Sequence, residues 1–91
     1  MNDIHNPEQT RVIIREILGI HGRMTKADAL DPAQDLYASG LTSFAAVQLM
    51  LALEEAFDVE FPERMLNRRS FASIDAIAAC LTEISNTRAA A

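Results

Sequence analysis

Asp35-Leu36-Tyr37-Ala38-Ser39-Gly40-Leu41-Thr42-Ser43-Phe44 runs straight into Ala45-Ala46-Val47-Gln48-Leu49-Met50-Leu51-Ala52-Leu53-Glu54-Glu55-Ala56-Phe57. The first part reads as a loop and the second as a helix. Gly40 suits the positive φ of a tight turn, Leu41 can anchor the loop to a core, and Thr42 or Ser43 can cap the first helical turn. The stretch therefore delivers Ser43 to a point where unpaired backbone N–H groups and the positive end of the helix dipole converge. A phosphate ester on that hydroxyl would be electrostatically favoured there.

Upstream, Asn6-Pro7-Glu8-Gln9 has the form of a helix start. Asn6 is the cap, Pro7 sits where its missing N–H costs nothing, and Gln9 completes a capping box. Ile13, Ile14, Ile17, Leu18 and Ile20 fall on one broad face, with Glu8, Arg11, Arg15 and Glu16 on the other, which predicts an amphipathic helix that stops near Gly22. Gly19 inside that pattern implies close packing against a neighbour or early fraying of the last turn. From Arg23 to Thr42 the periodicity is lost. A loop this long in a compact domain calls for a function, and Leu30, Leu36 and Leu41 are spaced to pin it across the helices, with a brief turn at Ala33-Gln34-Asp35.

Downstream, Asp58 and Pro62 limit the second helix. Glu63-Arg64-Met65-Leu66 predicts a short third helix with Phe61, Met65 and Leu66 facing inward. Ser73 caps a last helix whose Ile74, Ile77, Ala78 and Leu81 share a face. Nothing resembles a strand, so the expected fold is all-α, a small antiparallel four-helix bundle with three longer helices and one short one. Residues 1–91 form a single domain on this reading, with its core at about 6–85, a short disordered N-terminal end and a frayed tail from Asn86 to Ala91.

At this point the residues carry a resemblance. Gly40-Leu41-Thr42-Ser43-Phe44, followed by Leu49, Leu53-Glu54-Glu55 and Phe57, resembles the Gly-x-Asp-Ser-Leu motif and second helix of the acyl and peptidyl carrier proteins, and the likeness extends from the Leu30 loop to Ser73-Ile74. The resemblance implies that Ser43 is an attachment point for 4′-phosphopantetheine, whose terminal thiol holds a cargo as a thioester. It also implies a phosphopantetheinyl transferase, a loading enzyme and a downstream acceptor as partners. Thr42 stands where the family usually has Asp, Phe44 where it has Leu, and Gln48 where many acyl carriers have an acid. With Met65-Leu66-Asn67-Arg68-Arg69-Ser70-Phe71, these departures look most like stand-alone aminoacyl carriers loaded by ligases similar to seryl-tRNA synthetases. An acyl carrier for fatty-acid or polyketide-type synthesis, and a helical interaction module without a prosthetic group, remain the alternatives.

Composition narrows the classes further. A chain of 91 residues that is 49% hydrophobic has room for one small core and no second domain. A formal net charge of −5 opposes nucleic-acid binding. The single cysteine, Cys80, cannot form an internal disulfide and reads as a small, partly buried hydrophobe. The N-terminal residues lack the pattern of a signal peptide, and no stretch reaches the ~18 apolar residues of a membrane span, so the expected location is cytoplasmic. A serine hydrolase is the enzymatic rival, but Gly-x-Ser-x-Gly is absent, and His5 and His21 are the only histidines. Nor do those histidines have metal-ligand spacing with Cys80 or nearby carboxylates.

The second helix carries two apolar stripes. Ala46, Leu49, Met50, Leu53 and Phe57 form one, while Phe44, Val47 and Leu51 form another on nearly the opposite side, with Gln48 and Glu55 among them. A small bundle can cover only one of them. The second, beginning beside Ser43, is the expected partner face, made of Thr42, Phe44, Val47, Gln48, Leu51 and Glu55. Beyond it, Glu54, Glu55, Asp58, Glu60 and Glu63 read as a solvated acidic run, and the adjacent Arg64, Arg68 and Arg69 make the surface mixed in sign.

Overall fold

The computed structural model describes residues 6–22, 24 and 26–90. His5 and the expected disordered N-terminal end lie outside them. Three α-helices dominate: α1 (Pro7–Ile20), α2 (Ser43–Phe57) and α3 (Ile74–Ala90). Short 3-10 turns occupy the connections at Ala27–Ala29, Glu63–Met65 and Arg68–Phe71. No strand occurs among the described residues.

Helix α1 starts as its sequence dictates. The Asn6 side chain accepts the Gln9 amide at 3.1 Å, with Pro7 in the first turn. Ile14, Ile17 and Leu18 are buried, whereas Ile20, assigned to the same face, is 71% exposed. The helix ends directly after it, at His21, and Ile20 lies on the open side of a last turn whose Ile17 and Leu18 are buried. Thr10 is buried although the hydrophobic pattern passed over it; its hydroxyl donates to Asn6 O at 2.9 Å, which makes a polar side chain tolerable there. Gly22 ends the helix by close approach rather than by positive φ, since a Cβ there would meet Leu18 O at 2.8 Å. The helix continues past Gly19 to Ile20, and a Cβ at Gly19 would meet Ala27 only at an ordinary 3.9 Å, so neither fraying nor close packing requires a glycine there.

Within the long connection, residues 30–41 are held by the core and by hydrogen bonds to neighbouring elements. Leu36 and Leu41 are buried and Leu30 packs against the core. Leu36 N donates to Ala72 O at 2.7 Å, and Asp75 N donates to Pro32 O at 2.9 Å, which satisfies one of the first-turn amides of α3. Arg15 from α1 donates to Leu30 O at 3.2 Å. Arg11 pairs with Asp75 at 3.1 Å, joining α1 to α3.

After α2, Asp58 adopts the left-handed conformation at φ 52° and closes the helix. Glu54 is not merely solvated, because its carboxylate accepts the Phe61 amide at 2.9 Å and folds the chain back beneath the helix end. The expected short third helix is a 3-10 turn, Glu63–Met65, with Phe61 and Met65 buried as predicted but Leu66 exposed. Leu66 falls past the end of that turn and lines the groove that opens beside Ala46 and Phe71. A further 3-10 turn at Arg68–Phe71 had no periodicity to reveal it: it depends on Asn67, whose side chain accepts the Ser70 amide at 3.0 Å, and on Phe71, which packs on Phe61 with ring centroids 5.3 Å apart. Ser73 caps α3 through the Ala76 amide at 3.0 Å. Ile74, Ile77, Leu81 and Ile84 form its buried face. Helix α3 runs on to Ala90.

Candidate functional site

The loop before α2 is built from local hydrogen bonds. Asp35 Oδ1 accepts the amides of Tyr37 and Ala38 at 2.9 and 3.3 Å, and the Ser39 hydroxyl donates to Asp35 O at 2.9 Å. Gly40 takes φ +120°, which a side chain would strain, and Leu41 N returns to Leu36 O at 2.9 Å. With Leu36 and Leu41 both in the core, the next residues are delivered to a fixed place.

That place is the start of α2. Thr42 is the cap: its Oγ1 accepts the Ala45 amide at 3.1 Å. Ser43 is the first helical residue and is exposed. The capping duty falls on Thr42, so the Ser43 hydroxyl is free for chemistry from outside. It faces the field of a helix N-terminus, where the first amides have no intrahelical acceptor.

A groove of about 350 Å³ opens beside Ser43, floored by Ala46 and Met50 of α2 and Phe71, and walled by Val47, Leu66, Tyr37 and Arg68. The Arg68 guanidinium lies over the Tyr37 ring, 3.9 Å from its centroid. Burial pushes the Tyr37 phenol above its ordinary value of 10.0, Arg68 pulls it down and Asp35 pushes it up. Of these residues, sequence reading assigned Val47 to a partner face and Arg68 to a mixed surface. It did not bring Tyr37, Leu66 and Phe71 to Ser43, because they converge only through the Asn67-capped turn.

The second stripe of α2 is exposed. Phe44, Val47 and Leu51 are 66%, 54% and 55% accessible, while Leu49, Leu53 and Phe57 are buried. Gln48 is half-buried and Glu55 exposed. On the flank away from the Ser43 groove, Gln48, Leu51, Ala52 and Glu55 meet Ile20 and His21 in a second open depression of about 360 Å³. Ile20 thus extends the apolar surface onto the end of α1. His21 lies there rather than at Ser43, and His5 lies outside the described residues. Among the described residues no group of three or more His, Cys, Asp or Glu side chains could hold a metal ion. None of their helices is long and apolar enough to cross a membrane.

The family described as the phosphopantetheine attachment site matches residues 8–81. The chain belongs to that family. Its prosthetic group is 4′-phosphopantetheine, and it is a carrier domain rather than an enzyme. It is 62% identical over 65 residues to the aminoacyl carrier protein of Agrobacterium fabrum, an alignment covering 70% of this chain and 78% of that protein. Its fold matches a chain in the crystal structure of an engineered Bradyrhizobium japonicum glycine:[carrier protein] ligase complexed with carrier protein from Agrobacterium tumefaciens and ATP. There the TM-score is 0.80 with 54% identity, over 82% of this chain and 99% of that one. A solution structure from Agrobacterium tumefaciens matches at TM-score 0.71 and 52% identity, over 89% of this chain and 99% of that one. The expected all-α carrier fold is therefore the observed one, with 3-10 turns in place of the short third helix.

Proposed function

We propose that this carrier domain holds an amino acid on 4′-phosphopantetheine attached to Ser43. The observation that carries the assignment of Ser43 is its position as the exposed first residue of α2, relieved of capping by Thr42. The residues around it fit the group: an exposed hydroxyl at a helix N-terminus for a phosphodiester, a partly apolar groove alongside, and a guanidinium at the groove wall. When bound, the prosthetic group supplies a terminal thiol able to hold a carboxylic acid as a thioester. The protein's own residues position that arm and present it.

The aminoacyl cargo is supported by the likeness to an aminoacyl carrier protein and to a carrier solved with a glycine:[carrier protein] ligase. Glycine is accordingly the first cargo to test. The proposed ligase contact is the exposed stripe of α2, with Phe44, Val47 and Leu51 as apolar anchors, Thr42, Gln48 and Glu55 at its polar edge, and Ile20 at its margin. Contiguous exposed apolar side chains rimmed by polar ones favour this use. A phosphopantetheinyl transferase and a downstream acceptor complete the partner set. We place the protein in the cytoplasm as one carrier unit.

The test is incubation of the holo protein with an amino acid:[carrier protein] ligase, ATP and glycine, followed by intact mass. A gain of one glycyl residue is expected. Loading only with long-chain acids by acyl ligases would refute the aminoacyl reading.

A further inference from the structure

The Ser43 groove carries a charge, that of Arg68, to which no specific task has yet been given. Arg68 is exposed, and among the described residues it makes no ion pair, unlike Arg11 with Asp75 and Arg64 with Glu83. The acid nearest in the loop, Asp35, is committed to the amides of Tyr37 and Ala38. Yet the Arg68 guanidinium is held in place. Its backbone is set by the Asn67 cap on one side and buried Phe71 on the other, and its planar head lies against the Tyr37 ring. The Asn67 amide group is itself anchored, donating to Arg64 O at 2.9 Å. A stacked guanidinium keeps its edge free to receive an oxyanion.

We propose that Arg68, stacked on Tyr37, is the counter-charge for the phosphodiester of the Ser43-bound arm and holds the arm along the groove between α2 and the Arg68–Phe71 turn. The inference rests on attachment at Ser43. Arg68 is then a positioning residue. The depression on the other flank of α2 has nearly the same volume, about 360 against 350 Å³, so size does not choose between them. Both volumes fit small-molecule sites of roughly 300–1,000 Å³. Position and charge do choose. Ser43 lines the first groove and not the second, which begins at Gln48, more than a turn along α2, and whose carboxylate is Glu55. An arm settled against Tyr37, Val47 and Leu66 leaves Phe44 and Leu51 uncovered for a partner.

The test uses coenzyme A whose thiol already carries a nitroxide, so that Cys80 stays unlabelled when a phosphopantetheinyl transferase loads the protein. Paramagnetic broadening of backbone amides is then compared in wild type, Arg68→Gln and Arg68→Lys. Broadening in the wild type is expected to be stronger at Val47, Leu66 and Asn67 than at Ile20 and Glu55 on the other flank of α2. Arg68→Gln should weaken the groove-side effect by up to about fivefold, the upper end of what an exposed ion pair commands, and Arg68→Lys, which keeps the charge but not the planar stacked fork, should fall between it and wild type. Raising salt from ~0.1 to ~1 M, which shortens the Debye length from about 10 to 3 Å, should mimic Arg68→Gln. Equal broadening around α2, or a groove pattern indifferent to Arg68→Gln, overturns the proposal while leaving Ser43 attachment intact. Intact mass after loading with unmodified coenzyme A is measured first. Absence of any gain there overturns the attachment itself, and the role of Arg68 with it.

Discussion

Thr42 and Ser43 divide the start of α2 between them: Thr42 Oγ1 accepts the Ala45 amide at 3.1 Å, and Ser43, next in sequence, is exposed as the first helical residue. One side chain caps the helix and the other is not needed as its cap. Thr42→Ala should therefore lower stability by ~0.5–2 kcal/mol, the cost of losing a cap. Ser43→Ala should leave it within ~0.5 kcal/mol, as at a surface position with no structural role. Chemical denaturation of both variants checks the division.

The two stripes of α2 should separate stability from loading. Leu49 and Leu53 are fully buried, and a glutamate at either place would bury an unpaired charge, so Leu49→Glu and Leu53→Glu should unfold the domain. Leu51→Glu and Val47→Glu alter exposed positions and should melt within a few degrees of wild type. If the exposed stripe is the docking face, those two variants should weaken ligase loading by more than ~1–2 kcal/mol, as hot-spot substitutions do. Paired thermal melts and loading kinetics are the check.

Tyr37 offers a spectroscopic view of the groove. It is the only tyrosine and there is no tryptophan, so ultraviolet absorbance follows its ionisation alone. Burial keeps the phenol above 10.0 even though Arg68 pulls it down, so Arg68→Gln should move the titration further up. The folded state holds this proton more tightly than the unfolded chain. Its contribution to stability is thus fully present below pH 10 and declines as pH rises through the folded-state value. A downward shift in Arg68→Gln would contradict the stacking.

Gly40 tests the loop that delivers Ser43. Nothing lies within 4 Å of where its Cβ would be, so the φ of +120° is the whole reason for glycine there. Gly40→Ala should cost ~1–3 kcal/mol through backbone strain. It should also slow modification more than Thr42→Ala does, because it moves the loop rather than loosening the helix start. Transferase kinetics beside denaturation would show whether both effects occur.

Much of this was legible in the sequence, because local signals agreed with tertiary ones. The Asn6 cap with Pro7 in the first turn, the Ser73 cap and the Leu49/Leu53 stripe each have short-range causes, and each appears as read. The second apolar stripe was equally visible, since a small bundle has too few helices to cover both sides. Where reading failed, the cause was long-range. Ile20 fits the period of α1 but is its last residue and only edges an open depression, and Leu66 follows a turn that ends too soon to bury it. The meeting of Tyr37 with Arg68 depends on two loops brought together by Phe71 and by the Leu36 to Ala72 hydrogen bond. No spacing between residues 37 and 68 could announce that contact.

The central claim is that Ser43 carries the prosthetic group. Apo protein incubated with coenzyme A and a broad-specificity phosphopantetheinyl transferase should gain the mass of one phosphopantetheinyl group, with fragmentation placing it on Ser43, and Ser43→Ala should gain nothing while keeping its helical circular dichroism. Modification of Ser43→Ala, mapping of the group to Ser39 or Thr42, or a wild-type protein that stays unmodified would contradict the account.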